Sequence, residues 1–104
     1  MISVSSEEFE IIKNILHSYI KKGKVYAFGS RYKNNNRKFS DLDIAIDIGK
    51  KLSFEFLTAL KDAFEESDLP YRVDIIDYNN ISDKFKKIVD NGNEIIYNSE
   101  IYKY

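Results

Sequence analysis

Two aspartates one residue apart, Asp41 and Asp43, open the apolar alternation LDIAIDI. Upstream stands Gly29-Ser30, and the ten residues between that pair and Asp41 hold Arg31, Lys33, Arg37 and Lys38 but no acid. A later aspartate, Asp74, interrupts the apolar run VDII. Carboxylates in such a pattern suit a hard divalent cation, and a glycine–serine bend with cations nearby suits phosphate oxygens. Together they suit a metal-bound nucleoside triphosphate. The plainer alternative is a charged surface hairpin, since a lone D-x-D more often marks an exposed polar face.

The alternation sharpens the choice. Side chains on a strand point to opposite faces in turn. With Asp41 to Ile48 as a strand, Leu42, Ile44, Ile46 and Ile48 share an apolar face. Asp41, Asp43, Ala45 and Asp47 share the other. Asp41 and Asp43 then lie about 7 Å apart along the strand. Their charges repel, and whatever packs over them removes hydration. A shared Mg²⁺, which favours one or two carboxylates plus phosphate oxygens, relieves both costs. Asp47 falls about 13 Å beyond Asp43, out of reach of the same ion, and is expected to be solvated. Asp74 sits in what reads as a buried strand, where it needs a metal, a hydrogen bond or an ion pair, for example with Arg72 or a lysine. Asp77 is expected to serve the following turn. Gly29 allows close backbone approach, and Ser30 offers a hydroxyl and an amide to phosphate. If the first two strands are antiparallel neighbours, Gly29-Ser30 meets Asp41 and Asp43.

The elements that must position these groups follow from periodicity and caps. A helix is expected from about Ser6 to Lys22. Ser5 and Glu8 have capping-box spacing, Phe9, Ile12, Leu16, Tyr19 and Ile20 recur on one face, and Gly23 ends the helix. Val25 to Phe28 reads as a strand ending at Gly29. A second helix runs from about Phe54 to Glu66, capped by Ser53, and leaves at Pro70. Arg72 to Tyr78 reads as a third strand. Ile81, Phe85, Ile88 and Val89 outline a third helix, capped near Ser82 and stopped by Gly92, and Glu94 to Tyr97 suits a last short strand. The order is α-β-β-α-β-α, an α+β arrangement with helices packed on a small mixed sheet.

At Gly29-Ser30, Asp41-x-Asp43 and Asp74 the sequence resembles the DNA polymerase β-type nucleotidyltransferases. The segments FGSR…SDLDIAID and VDIIDY, with the small size, are most similar to the minimal nucleotidyltransferases (MNT). The likeness spans nearly the whole chain, because the element order also agrees. It implies the nucleotidyltransferase fold and transfer of a nucleoside monophosphate from a triphosphate such as ATP to a hydroxyl, with release of pyrophosphate. By this resemblance Asp41 and Asp43 hold two Mg²⁺ ions, and Asp74 completes the site and helps activate the acceptor. Gly29 and Ser30 bind the triphosphate, reinforced by Arg31. Minimal members pair with a HEPN-type toxin as its antitoxin and can adenylylate a tyrosine on that toxic ribonuclease.

Bulk composition bounds the alternatives. The 104 residues suit one domain, 1–104, and 43% of them are hydrophobic, enough for a core. A net charge of -1 argues against strong binding to nucleic acid through bulk electrostatics. There is no cysteine, which excludes disulfides and thiolate metal sites and fits a reducing cytoplasm. No apolar run is long enough to span a bilayer, and the acidic MISVSSEEFE start does not read as a secretory signal. The sole histidine, His17, is expected on the surface of the first helix. Tyr97, Tyr102 and Tyr104 are candidates for an interface. So short a scaffold leaves little surface for an acceptor, which points to a partner chain. Competing readings are a non-catalytic module that masks its partner, an enzyme acting on a small molecule or an RNA end, and a receiver-like phosphate switch. The last needs its acids at the carboxyl ends of parallel strands, whereas this D-x-D begins its strand.

Overall fold

The computed structural model describes residues 1–99. Its elements are helix α1 (Ser6–Tyr19), strand β1 (Lys24–Phe28), helix α2 (Gly29–Lys33), strand β2 (Leu42–Asp47), helix α3 (Phe54–Glu65), strand β3 (Val73–Asp77), a 3₁₀ turn (Tyr78–Asn80), helix α4 (Asp83–Asp90) and strand β4 (Glu94–Asn98). The N-caps are those the sequence requires. Ser5 and Glu8 close a capping box, and Ser53 and Ser82 accept the amides of Phe56 and Phe85. α1 stops at Tyr19 rather than running to Lys22, because Ile20 leaves the helix in an extended conformation and is buried. Tyr19, expected on the apolar face, is exposed there.

The four strands form one sheet in the order β3-β2-β1-β4. β1 pairs antiparallel with β2 and with β4, and β2 pairs parallel with β3 through the α3 crossover. α1 and α3 cover one face. Ile12, Leu16, Leu60 and Phe64 from those helices pack on Val25, Ala27, Leu42, Ile44, Ile46 and Ile75. Each of these side chains but Ala27 contributes on the order of 1.5–3 kcal/mol by leaving water. Leu42, Ile44 and Ile46 are fully buried, as the alternation demands. α4 covers only part of the opposite face, where Val89 packs on Phe28 and Ala45 and Phe85 meets Phe28 edge-on at 6.1 Å. A partly covered face carrying Asp43 is the setting of the candidate site. Among the described residues no helix is long and apolar enough to cross a membrane.

Candidate active site

Register brings the distant aspartates together. Phe28 pairs with Asp43 across β1 and β2, so Gly29 is the first residue past the pair. Asp43 pairs with Asp74 across β2 and β3, a separation of about 4.8 Å between backbones. Both carboxylates lie on the face opposite the main core. Gly29 has φ +75°, and a Cβ built there would collide with the Asp43 carboxylate. Only glycine fits this backbone and this approach together. Gly29 and Asp74 thus flank Asp43 on its two sides, and Asp41 stands at the entrance to β2.

Gly29-Ser30 does not form an open turn. It begins α2, whose end is set by Asn34 in the left-handed conformation with its amide donating to the Ser30 carbonyl. Asparagine tolerates that conformation better than most residues. The long loop that follows is fixed from inside. Arg31, read as a phosphate ligand, is 4% exposed, and its guanidinium donates to the carbonyls of Ser3 (2.7 Å), Lys38 (2.9 Å) and Ser40 (2.9 Å). The same group stacks 3.7 Å from the Tyr71 ring, and Tyr71 donates its hydroxyl to Glu8. Burial and the Glu8 hydrogen bond push the Tyr71 hydroxyl well above its ordinary pKa. Arg31 therefore ties the loop to α1 and to the start of β3, and its charge is spent on carbonyls rather than presented to a ligand. No motif signals this, because Tyr71 and Ser3 reach Arg31 only through the tertiary fold.

The three aspartates lack counter-charges. Among the described residues none of Asp41, Asp43 and Asp74 has an ion pair or a side-chain hydrogen bond. The ion pair considered between Asp74 and Arg72 does not form. Asp74 is also exposed rather than buried: it is on the face of edge strand β3 away from α3, whereas its neighbour Ile75 is buried on the core face. Desolvation raises the Asp43 carboxyl above its ordinary value, and the charges of Asp74 and Asp41 raise it further. As they stand, no three acidic or histidine side chains among the described residues converge on one point. The fit to a cation lies in the donor set: three carboxylates without side-chain partners, two of them on registered positions.

The other acids have structural work. Asp47, expected to be solvated, accepts the Gly49 amide and the Asn79 side-chain amide. Asp77 accepts the Asn79 amide, as expected of a turn residue, and also the Leu52 amide at 2.8 Å. His17 is exposed. Tyr97 is half-buried and donates to the Ile20 carbonyl, while Tyr102 and Tyr104 lie outside the described residues.

One further residue adjoins the aspartates. Arg72 precedes β3, and its carbonyl accepts the Leu42 amide at 2.9 Å, one step from the Leu42–Val73 pair. Strand parity puts it on the face of Asp74 and across from Asp41. Its parity with Asp74 was the available signal. A hollow of about 410 Å³ runs beside it and takes in Asp74. A larger hollow, about 850 Å³ between α1 and β4, includes none of the aspartates.

Residues 10–101 fit the family described as polymerase beta, nucleotidyltransferase. The chain is 44% identical over 88 residues to the probable protein adenylyltransferase MntA of Haemophilus influenzae, covering 85% of this chain and 77% of that one. The chain belongs to the polymerase beta nucleotidyltransferase family. It is a nucleotidyltransferase, an enzyme that uses a nucleotide. Its fold is also that of a chain in a toxin–antitoxin crystal structure with AMP-PNP, at a TM-score of 0.74 and 23% identity over 90% of this chain and 76% of the other. A chain from the complex of tri-AMPylated Shewanella oneidensis HEPN toxin with MNT antitoxin superposes at a TM-score of 0.62, with 21% identity over 92% of the nucleotidyltransferase and 74% of that chain. At these identities both likenesses bear on the fold alone.

Proposed function

We propose that this chain transfers AMP from ATP to a tyrosine hydroxyl of a HEPN toxin and acts as its cytoplasmic antitoxin, with residues 1–104 forming one minimal nucleotidyltransferase domain. The observation that carries the reading is the register of Asp43 with Asp74, with Gly29 pressed against Asp43. The relationship to a probable protein adenylyltransferase supports the substrate class. Asp41 and Asp43 would hold Mg²⁺, two ions in all, with Asp74 completing the set. Bound Mg²⁺ supplies positive charge to the phosphates and acidifies the attacking hydroxyl. Gly29 and Ser30 would receive the triphosphate, the glycine because no Cβ blocks the approach. Asp74, exposed beside Asp43, would take the proton of the acceptor hydroxyl. The acceptor oxygen bonds to the α-phosphorus as the bond to the bridging oxygen of pyrophosphate breaks. Arg31 serves as a positioning residue that holds the loop into Asp41.

The test is incubation of the chain and its HEPN partner with α-labelled ATP and Mg²⁺. Label should appear on the partner. Replacing both Asp41 and Asp43 by Asn should reduce transfer by about a thousandfold or more, the scale of losing preorganised electrostatic stabilisation. Label that survives the double substitution rules out these residues as the site. If the labelling-dead variant still rescues cells from the toxin, neutralisation works by masking.

A further inference from the structure

We propose that the hollow along the free edge of β3 receives the acceptor, as an extended acidic segment of the partner protein that carries the target hydroxyl. This rests on the adenylyl-transfer reading and adds to it the side of entry and the charge of the acceptor. Across the sheet the order is β1 with Gly29-Ser30 at its end, then β2 with the paired aspartates, then β3 with Asp74. In phosphoryl transfer the attacking and leaving oxygens stand roughly in line on opposite sides of phosphorus. With pyrophosphate held on the β1 side, the attacking oxygen must come from the β3 side.

That side is built to take a strand. β3 is at the edge of the sheet, and among the described residues nothing pairs with its outer edge. A bare strand edge offers backbone groups to an extended peptide. Phe64, Leu69 and Pro70 give the hollow an apolar wall against which an aromatic side chain can lie. Its charges are Lys61, Glu65, Arg72 and Asp74. Asp74 belongs to the reaction centre, so two cations face one remaining acid. Lys61 and Arg72 are both exposed, and among the described residues neither side chain has an ion pair or hydrogen bond. Arg72 stands on the face of Asp74 and Lys61 on the α3 side of the same edge, so a segment laid along β3 passes a cation on either side of the sheet, which favours acidic residues beside the target hydroxyl. The same two cations would repel a basic segment.

The experiment compares two short synthetic peptides, a tyrosine flanked by glutamates and a tyrosine flanked by lysines, as AMP acceptors. The acidic peptide should have a kcat/KM roughly fivefold to tenfold higher, the scale of one or two exposed ion pairs. Lys61→Glu with Arg72→Glu should invert that preference through the peptide KM and leave the KM for ATP unchanged. An unchanged preference in the double variant overturns the proposal. A raised KM for ATP with an unchanged peptide KM also overturns it, since Arg72 would then be a triphosphate ligand. Labelling of the HEPN toxin with neither peptide labelled overturns the extended-segment mode alone. Absence of transfer to toxin and peptides alike removes the adenylyl-transfer reading, and the groove with it.

Discussion

Arg31 follows the Gly29-Ser30 bend on the β1 side of β2, and Arg72 precedes β3 on the other side. The first is buried, bound to three carbonyls and stacked on Tyr71. The second is exposed and has no side-chain partner among the described residues. The difference divides the site. On the β1 side a short helix, a left-handed Asn34 and a buried guanidinium hold the backbone in one shape. On the β3 side the sheet simply ends, with an aspartate and a cation open to solvent. Rigid surroundings suit a triphosphate, the same small ligand in every turnover. An open edge suits an acceptor delivered by another molecule.

The comparison breaks most visibly in stability. Arg31→Ala leaves three carbonyls without their donor, at about 1 kcal/mol each, so a loss of about 3 kcal/mol is expected. For a chain of this size that lowers the Tm by more than about 10 °C. Arg31→Lys should not restore it, because an ammonium cannot fork to three carbonyls or stack on Tyr71. Arg72→Ala should stay within about 0.5 kcal/mol of the parent. Thermal unfolding of the three variants checks this, and equal losses at Arg31 and Arg72 would erase the distinction.

Gly29→Ala tests the same side at the site itself. The positive φ costs about 1–2 kcal/mol for a residue with a Cβ. The new methyl must also displace the Asp43 carboxylate. A displacement of about 1 Å is worth on the order of a hundredfold in rate. AMP transfer should therefore fall by about that factor in a protein that still folds at 25 °C. Full activity would mean that Asp43 is not held where Gly29 now holds it.

What the sequence disclosed about these two sides differs for physical reasons. Local signals survived intact: the Ser5–Glu8 box, the caps at Ser53 and Ser82, and the burial of Leu42, Ile44 and Ile46 all follow from spacing. The meeting of Gly29 with Asp43 follows once β1 and β2 are taken as antiparallel neighbours. The pairing of Asp43 with Asp74 depends on how α3 crosses the sheet, which no local pattern states. α2 went unread because GSRYK is too short to show a helical period and opens with two weak helix formers. The exposure of Asp74 and the burial of Arg31 both contradict residue-level expectation. An aspartate beside a buried isoleucine is open when its own face of an edge strand is left uncovered, and an arginine in a basic loop is buried when carbonyls surround it.

The smallest effect separates the aspartates from ordinary surface acids. Asp43 lies on the constrained side, and burial, then Asp74, then Asp41 raise its carboxyl above 3.8. A folded-state value above the unfolded one means that the folded chain binds this proton more tightly. The stabilisation is fully present below the unfolded value and is lost as pH rises through the folded one. At neutral pH the ionised Asp43 therefore works against the fold. Asp43→Asn stays neutral at every pH and should raise the Tm near pH 7, without Mg²⁺, by roughly 1–3 °C, a modest figure because the half-exposed group is screened. The advantage should fade in acid as the wild-type carboxyl protonates. Mg²⁺ should raise the wild-type Tm more than that of the variant, since it relieves a repulsion the variant has already lost. Calorimetric scans at both pH values decide the matter. An Asp43→Asn chain no more stable than its parent at pH 7 would show that the aspartates are not crowded, and that the fold bears no cost to keep them together.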